Sequence, residues 1–208
     1  MSRRFALPTM PTIVVALAVA AMIALGLWQL LIRLPEKEAQ LAQLAGNPAR
    51  PVIAFPRAPD DALLFRRATV HCRSVEGIER AGAGNAGYRL IALCRDGAAA
   101  PVVRVQLGTT RDPEATVAWA GGALSGWISH APDSRPLIAA AFDRRPRALL
   151  LVADTPAPGL APNSRPDVAI VPNNHLAYAV QWFFFAAVAA VIYVLAARRR
   201  IARAVDGR

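Results

Sequence analysis

The sequence predicts an α+β membrane protein, with two transmembrane helices flanking an exported antiparallel β-rich domain of small-barrel or sandwich-like form. Three observations carry this. Two long apolar stretches without a charged residue lie near the two ends of the 208-residue chain, short β-branched runs fill the middle, and Gly, Pro and Asp punctuate those runs.

The first apolar stretch runs from Pro11 to Ile32 and the second from Leu176 to Ala197. At about 1.5 Å per residue each matches a hydrocarbon core of about 30 Å. The basic "MSRR" precedes the first and "RRRIARAVDGR" follows the second. Lys and Arg near a span stay on the cytoplasmic side, so residues 1–10 and 198–208 read as cytoplasmic ends of a bacterial inner-membrane protein, with a periplasmic middle. The "AVA" at 18–20 mimics a signal-peptidase site, but the apolar run continues past it, as an uncleaved anchor does.

Between the spans, residues 33–50 keep a helical pattern to about Ala45 and stop at "GNPARP". Residues 51–155 contain six or seven candidate strands: "RPVIAF", "FRRATVHCRSV", "GYRLIALC", "PVVRVQLGTT", "EATVAWA", "LSGWISH" and "RALLLVADT". The proline-rich stretch 156–175 reads as an extended return to the membrane.

The net charge of +10 and pI of 11.2 raise the question of nucleic acid. Seven of the 24 Lys and Arg, against Asp206 alone, sit in the two ends, and the other 17 are spread among 13 acids with no basic stripe interleaved with aromatics. The charge therefore follows topology, and no nucleic-acid partner is expected. A basic face toward an acidic partner protein is the other reading.

Cys72 and Cys94 lie symmetrically about residue 83 in the turn-prone "AGAGNAG". A hairpin there sets them opposite each other for a disulfide, which an oxidising compartment favours. Two buried cysteines that never meet are the alternative, and a copper site with His71 is a third. Catalytic machinery is not visible: there are three histidines, His71, His130 and His175, with no nucleophile elbow, phosphate loop or Cys-x-x-Cys. An enzyme is not expected.

The ends of the spans carry more chemistry. At about 100° per residue, His175, Tyr178, Trp182, Ala186, Ala189 and Tyr193 share one helical face, aromatic at its start and small further along. Small residues admit another helix or a flat ligand. Gly26, Gln29, Arg33 and Lys37 share a face on the first helix, with Trp28 pointing away. Three readings compete here. Trp28, Tyr178 and Trp182 suit an interfacial aromatic belt, His175 suits a helix cap with Asn173 and Asn174, and a neutral imidazole suits haem iron.

"NNHLAYAVQWFFFA" at 173–186 resembles the Asn-Asn-His-Leu-x-Tyr-Ala-x-x-Trp-Phe signature of the Surfeit locus protein 1 family of cytochrome c oxidase assembly factors. "GLWQLLIRLPEK" resembles that family's Gly-x-Trp-Gln hallmark, with one residue inserted between Gln29 and Arg33. On a regular helix the insertion rotates Trp28 and Gln29 by about 100° relative to Arg33. "FRRATVHC" resembles the family's Tyr-Arg-Arg strand with Cys72 in place of glycine. Leu107 and Thr109 stand where the family carries Arg and Trp around Gly108, a change that implies a lost or moved partner contact.

The resemblance implies a membrane-anchored assembly factor assisting haem a delivery to the oxidase catalytic subunit. Its implied partners are cytochrome c oxidase subunit I and proteins of haem a synthesis or assembly. It makes His175 the candidate haem-iron ligand, places Tyr178, Trp182 and Gln29 beside the macrocycle, and offers Arg33 or Lys37 to the propionates. A haem-independent scaffold that stabilises an oxidase subunit is the alternative.

Overall fold

The computed structural model describes residues 9–133, 136, 143 and 145–206. The "MSRR" end, the last two residues of the basic tail and part of the segment between "LSGWISH" and "RALLLVADT" lie outside them. The chain forms an α+β protein divided into two units, residues 1–40 with 172–208, and residues 41–171.

The first unit contains two helices long and apolar enough to cross a membrane. Helix α1 spans Thr9–Trp28, passes through a π turn at Gln29–Arg33 and continues as α2, Leu34–Ala45. Helix α3 spans His175–Asp206. Along α1 the less exposed positions are Thr12, Val15, Val19, Met22, Gly26 and Gln29, alternating three and four apart as a helix–helix seam requires. Along α3 they include His175, Ala179, Trp182, Ala186, Ala189 and Tyr193. Thr12 Oγ1 hydrogen-bonds Tyr193 Oη at one end of the pair and Gln29 meets His175 at the other, so the helices run antiparallel. Gly26 is buried, and a Cβ there would lie 2.7 Å from Phe183 Cε1. The small face of α3 is thus covered by α1.

The π turn explains what the inserted residue does. Leu34 N–H donates to the carbonyl of Gln29, five residues back, so the turn takes up one residue more than an α turn. Residues before and after it keep regular helix. The rotation expected of an unbroken helix is therefore taken up by the wider turn, and the Arg33 guanidinium carbon lies 5.8 Å from the centroid of Trp28.

The second unit is built on one seven-stranded sheet in the order β1-β2-β6-β7-β5-β4-β3. Its strands are β1 Ile53–Ala54, β2 Arg67–Cys72, β3 Ser74–Gly82, β4 Tyr88–Arg95, β5 Val103–Thr110, β6 Gly122–His130 and β7 Leu149–Ala153. The sheet is mixed, because β1–β2 and β5–β7 are parallel, and this corrects the antiparallel expectation. β7 is central and buried on both faces, with Leu149, Leu151 and Ala153 in one cluster and Leu150 and Val152 in the other. A strand buried on both faces reads as a continuous apolar run. The "EATVAWA" segment is not a strand: Val117 and Trp119 pack on the core, which accounts for their alternation, but they join no ladder.

Cys72 and Cys94 are disulfide-bonded, with Cα atoms 5.2 Å apart. They are not ladder partners as a symmetric hairpin would make them, since Cys94 pairs with Val75. Three strands separate β2 from β4 in the order, yet Arg73 N–H donates to the carbonyl of Arg95 at 3.1 Å. The sheet therefore curls until β2 and β4 meet, and the bond fastens the seam. Closing this loop contributes about 3 kcal/mol on the chain-entropy account.

The return segment is irregular apart from a short turn at Val168–Ile170 and lies along β5: Ala157 N–H donates to Leu107 O, Thr109 and Ala161 form a two-bond bridge, and Asn163 Nδ2 donates to the carbonyls of Gln106 and Ala153. Leu107 is 1% exposed in the core and Thr109 is buried under the segment. An arginine at 107 would be a buried, unpaired charge, which costs several kcal/mol. At these two positions the chain keeps its own strand covered.

The helix packing and the surface ion pairs each lead to a measurable outcome. Replacing Gly26 with Leu overpacks the helix pair by about 1–3 kcal/mol, and adding Phe183→Ala recovers more than half of it, read by thermal unfolding of the detergent-solubilised chain. The Glu76 carboxyl is held below its ordinary range by the hydrogen bond from Arg95, and that of Asp96 by the bond from His71 and the charge of Arg73. Their stabilisation is present above the ordinary carboxylate range, near about pH 4, and is lost as pH falls through the lowered folded values. Melting temperature therefore drops on acidification, and the gap between wild type and a Glu76→Gln, Asp96→Asn variant closes in acid.

Candidate functional site

The site lies where α1 passes through the π turn and α3 begins. His175 is the first residue of α3, and Asn174 accepts the first helical bond, from Tyr178 N–H at 3.0 Å. The imidazole does not cap its own helix. Its Nδ1 lies 2.7 Å from Oε1 of Gln29, 146 residues away in sequence, and the contact is partly buried.

An amide oxygen only accepts, so in this pairing Nδ1 carries the hydrogen. In the neutral ring that leaves the Nε2 lone pair free. A hydrogen bond at one ring nitrogen is the usual device that fixes the tautomer and presents the other nitrogen to a metal. The register of the helix pair makes this possible, because Gly26 lets the helices approach within reach of a side-chain amide.

The other sequence-identified residues are placed as follows. Trp182 is partly buried two turns along α3 and makes an edge contact with Phe185 at 6.4 Å. Tyr178 is 49% exposed. Arg33 pairs with Glu36 at 2.7 Å, and Lys37 Nζ donates to Gln40 Oε1 at 3.2 Å. The structure thus joins Gln29 to His175, while the two basic side chains bond along their own helix. Sequence reasoning missed Glu36, although its spacing three residues from Arg33 is a readable helical pair. It also missed Phe183 over Gly26, which no local pattern signals.

The remaining histidines serve the second unit. His71 Nδ1 is 3.3 Å from Asp96, and Cys72 is spent in the disulfide, so the copper reading is corrected. His130 Nε2 pairs with Asp61 at 2.9 Å. Among the described residues no group of three or more His, Cys, Asp or Glu is placed to hold a metal ion.

The model of the SURF1 family matches residues 16–187, which takes in Gly26, Gln29 and His175 of the helix pair and the whole sheet. No curated protein matches the chain, and no solved structure matches it.

Removing the acceptor should be visible at the ring itself. With Gln29→Leu, His175 loses the bond that selects its tautomer, and nitrogen NMR of selectively labelled histidine then moves from a single Nδ1-protonated form toward a mixture. A Gln29→Glu variant, which keeps the acceptor, retains the wild-type form.

Proposed function

Because the chain belongs to the SURF1 family, known as cytochrome c oxidase assembly factors, we propose that it assists delivery or insertion of haem a into the oxidase catalytic subunit, with His175 as the iron ligand. The observation that carries this reading is the Gln29–His175 hydrogen bond. It leaves an imidazole nitrogen with a free lone pair at the partly buried mouth of the helix pair, a donor that suits haem.

Haem a is cargo here, and it brings an iron that accepts a neutral imidazole nitrogen. Gln29 holds the proton on Nδ1 and keeps the ring oriented. Trp182 and Tyr178, on the turns that follow His175, supply flat apolar surface. Arg33 and Lys37 stand one and two turns past Gln29 and exchange their present partners, Glu36 and Gln40, for the two propionates. A single protein ligand suits a carrier, because cargo held on both sides would be slow to leave. The basic flanks of the two spans support an inner-membrane position with both termini cytoplasmic and the sheet in the periplasm. Oxidase subunit I and proteins of haem a synthesis are the partners in this reading.

The test is an absorption spectrum of the chain purified after co-expression with haem a synthesis enzymes. Wild type shows a Soret band that His175→Ala loses or shifts, and oxidase assembly falls with it. Equal spectra with undiminished assembly would overturn the reading in favour of a haem-independent scaffold.

A further inference from the structure

We propose that the C-terminal part of α3 carries a binding site for an anionic phospholipid, independent of the haem reading. Ile192, Leu195, Ala196, Arg199, Arg200 and Arg203 line one shallow groove. Five of them, all but Arg200, fall within an arc of about 100° on the helix. The arc is apolar in its first half and cationic in its second.

Its position on the helix matters. Tyr193 and Ala186, which face α1, lie about 110° and about 130° round from the centre of the arc, so the groove is not part of the helix–helix seam. Ile192 is 62% exposed and Leu195 49%, a surface that only acyl chains suit. From Ile192 to Arg199 the helix rises about 10 Å, a span that lets one lipid lay its upper acyl chain on Ile192 and Leu195 and its phosphodiester between the guanidiniums.

The charges call for that anion. Arg199 and Arg203 are one turn apart, where like charges repel. No acidic residue occurs between His175 and Val205, and among the described residues none of the three guanidiniums has an ion pair or hydrogen bond. Several arginines of the sheet unit are matched by acids, as in Arg95 with Glu76 and Arg104 with Glu79. Basic residues beside a span also set orientation, but orientation depends on how many there are. A lipid site depends on which face they occupy.

That difference gives the experiment. The variant Arg199→Val, Ile201→Arg, Arg203→Ile, Val205→Arg keeps composition and net charge but moves both arginines of the arc to positions about 80° or more beyond its edges. The full chain is extracted into detergent, exchanged against mixed phosphatidylglycerol and phosphatidylcholine, and its retained lipid read by native mass spectrometry. Wild type keeps phosphatidylglycerol in preference to phosphatidylcholine, the rearranged variant loses about tenfold of that retention, and an Arg199→Lys, Arg203→Lys variant keeps most of it. Equal retention in wild type and rearranged variant, equal retention of phosphatidylcholine, or displacement of the lipid by inorganic phosphate would each overturn the proposal.

Discussion

The contact of Gly26 with the ring of Phe183 sets how near the two apolar helices come, and the placement of every polar group along their seam depends on that spacing. Lipid gives helices little hydrophobic reason to associate, so close backbone approach and buried polar contacts must hold them. The seam has both: Gly26 and Ala186 are buried within it, and a hydrogen bond closes each end, Thr12 with Tyr193 and Gln29 with His175. A bulkier residue at 26 would separate the helices near the same end at which an amide must reach an imidazole across them.

The second unit solves a different problem. A seven-stranded sheet has a long strand, β3, at one edge and a two-residue strand, β1, at the other. Exposed strand edges invite unwanted pairing. Curling brings β2 against β4, and the Cys72–Cys94 bond holds that seam. The return segment then covers β5 through Asn163 and the Thr109–Ala161 bridge. Gln106 and Thr109, polar and buried, owe their satisfaction to this cover: Gln106 donates to Asn163 Oδ1 at 2.7 Å.

What the sequence made legible divides along physical lines. The spans were readable because a run of about 20 apolar residues without a charge is what a hydrocarbon core demands and a water-facing helix avoids. Most strands were readable from β-branched runs. Leu149–Ala153 reads as buried from its unbroken apolar run, but its parallel pairing with β5 depends on a crossover that no local pattern encodes. In the "EATVAWA" segment, alternation reported a half-buried face, which Val117 and Trp119 do provide, and said nothing about ladder partners. For the candidate site, His175 and Gln29 could be named from their motifs. Their bond could not, since it depends on how closely two helices 146 residues apart in sequence approach at Gly26, which no local pattern records.

The place of β7 in the sheet bears on how the chain is made. Its two neighbours, β5 and β6, belong to halves completed earlier in synthesis: β1-β2-β6 on one side and β5-β4-β3 on the other. No ladder joins those halves until Leu149–Ala153 inserts between them. Five residues that emerge shortly before the second apolar helix thus act as a keystone. The domain cannot finish until most of the chain has been translated, and an early stop or a slipped register there leaves two open half-sheets tied at most by a disulfide.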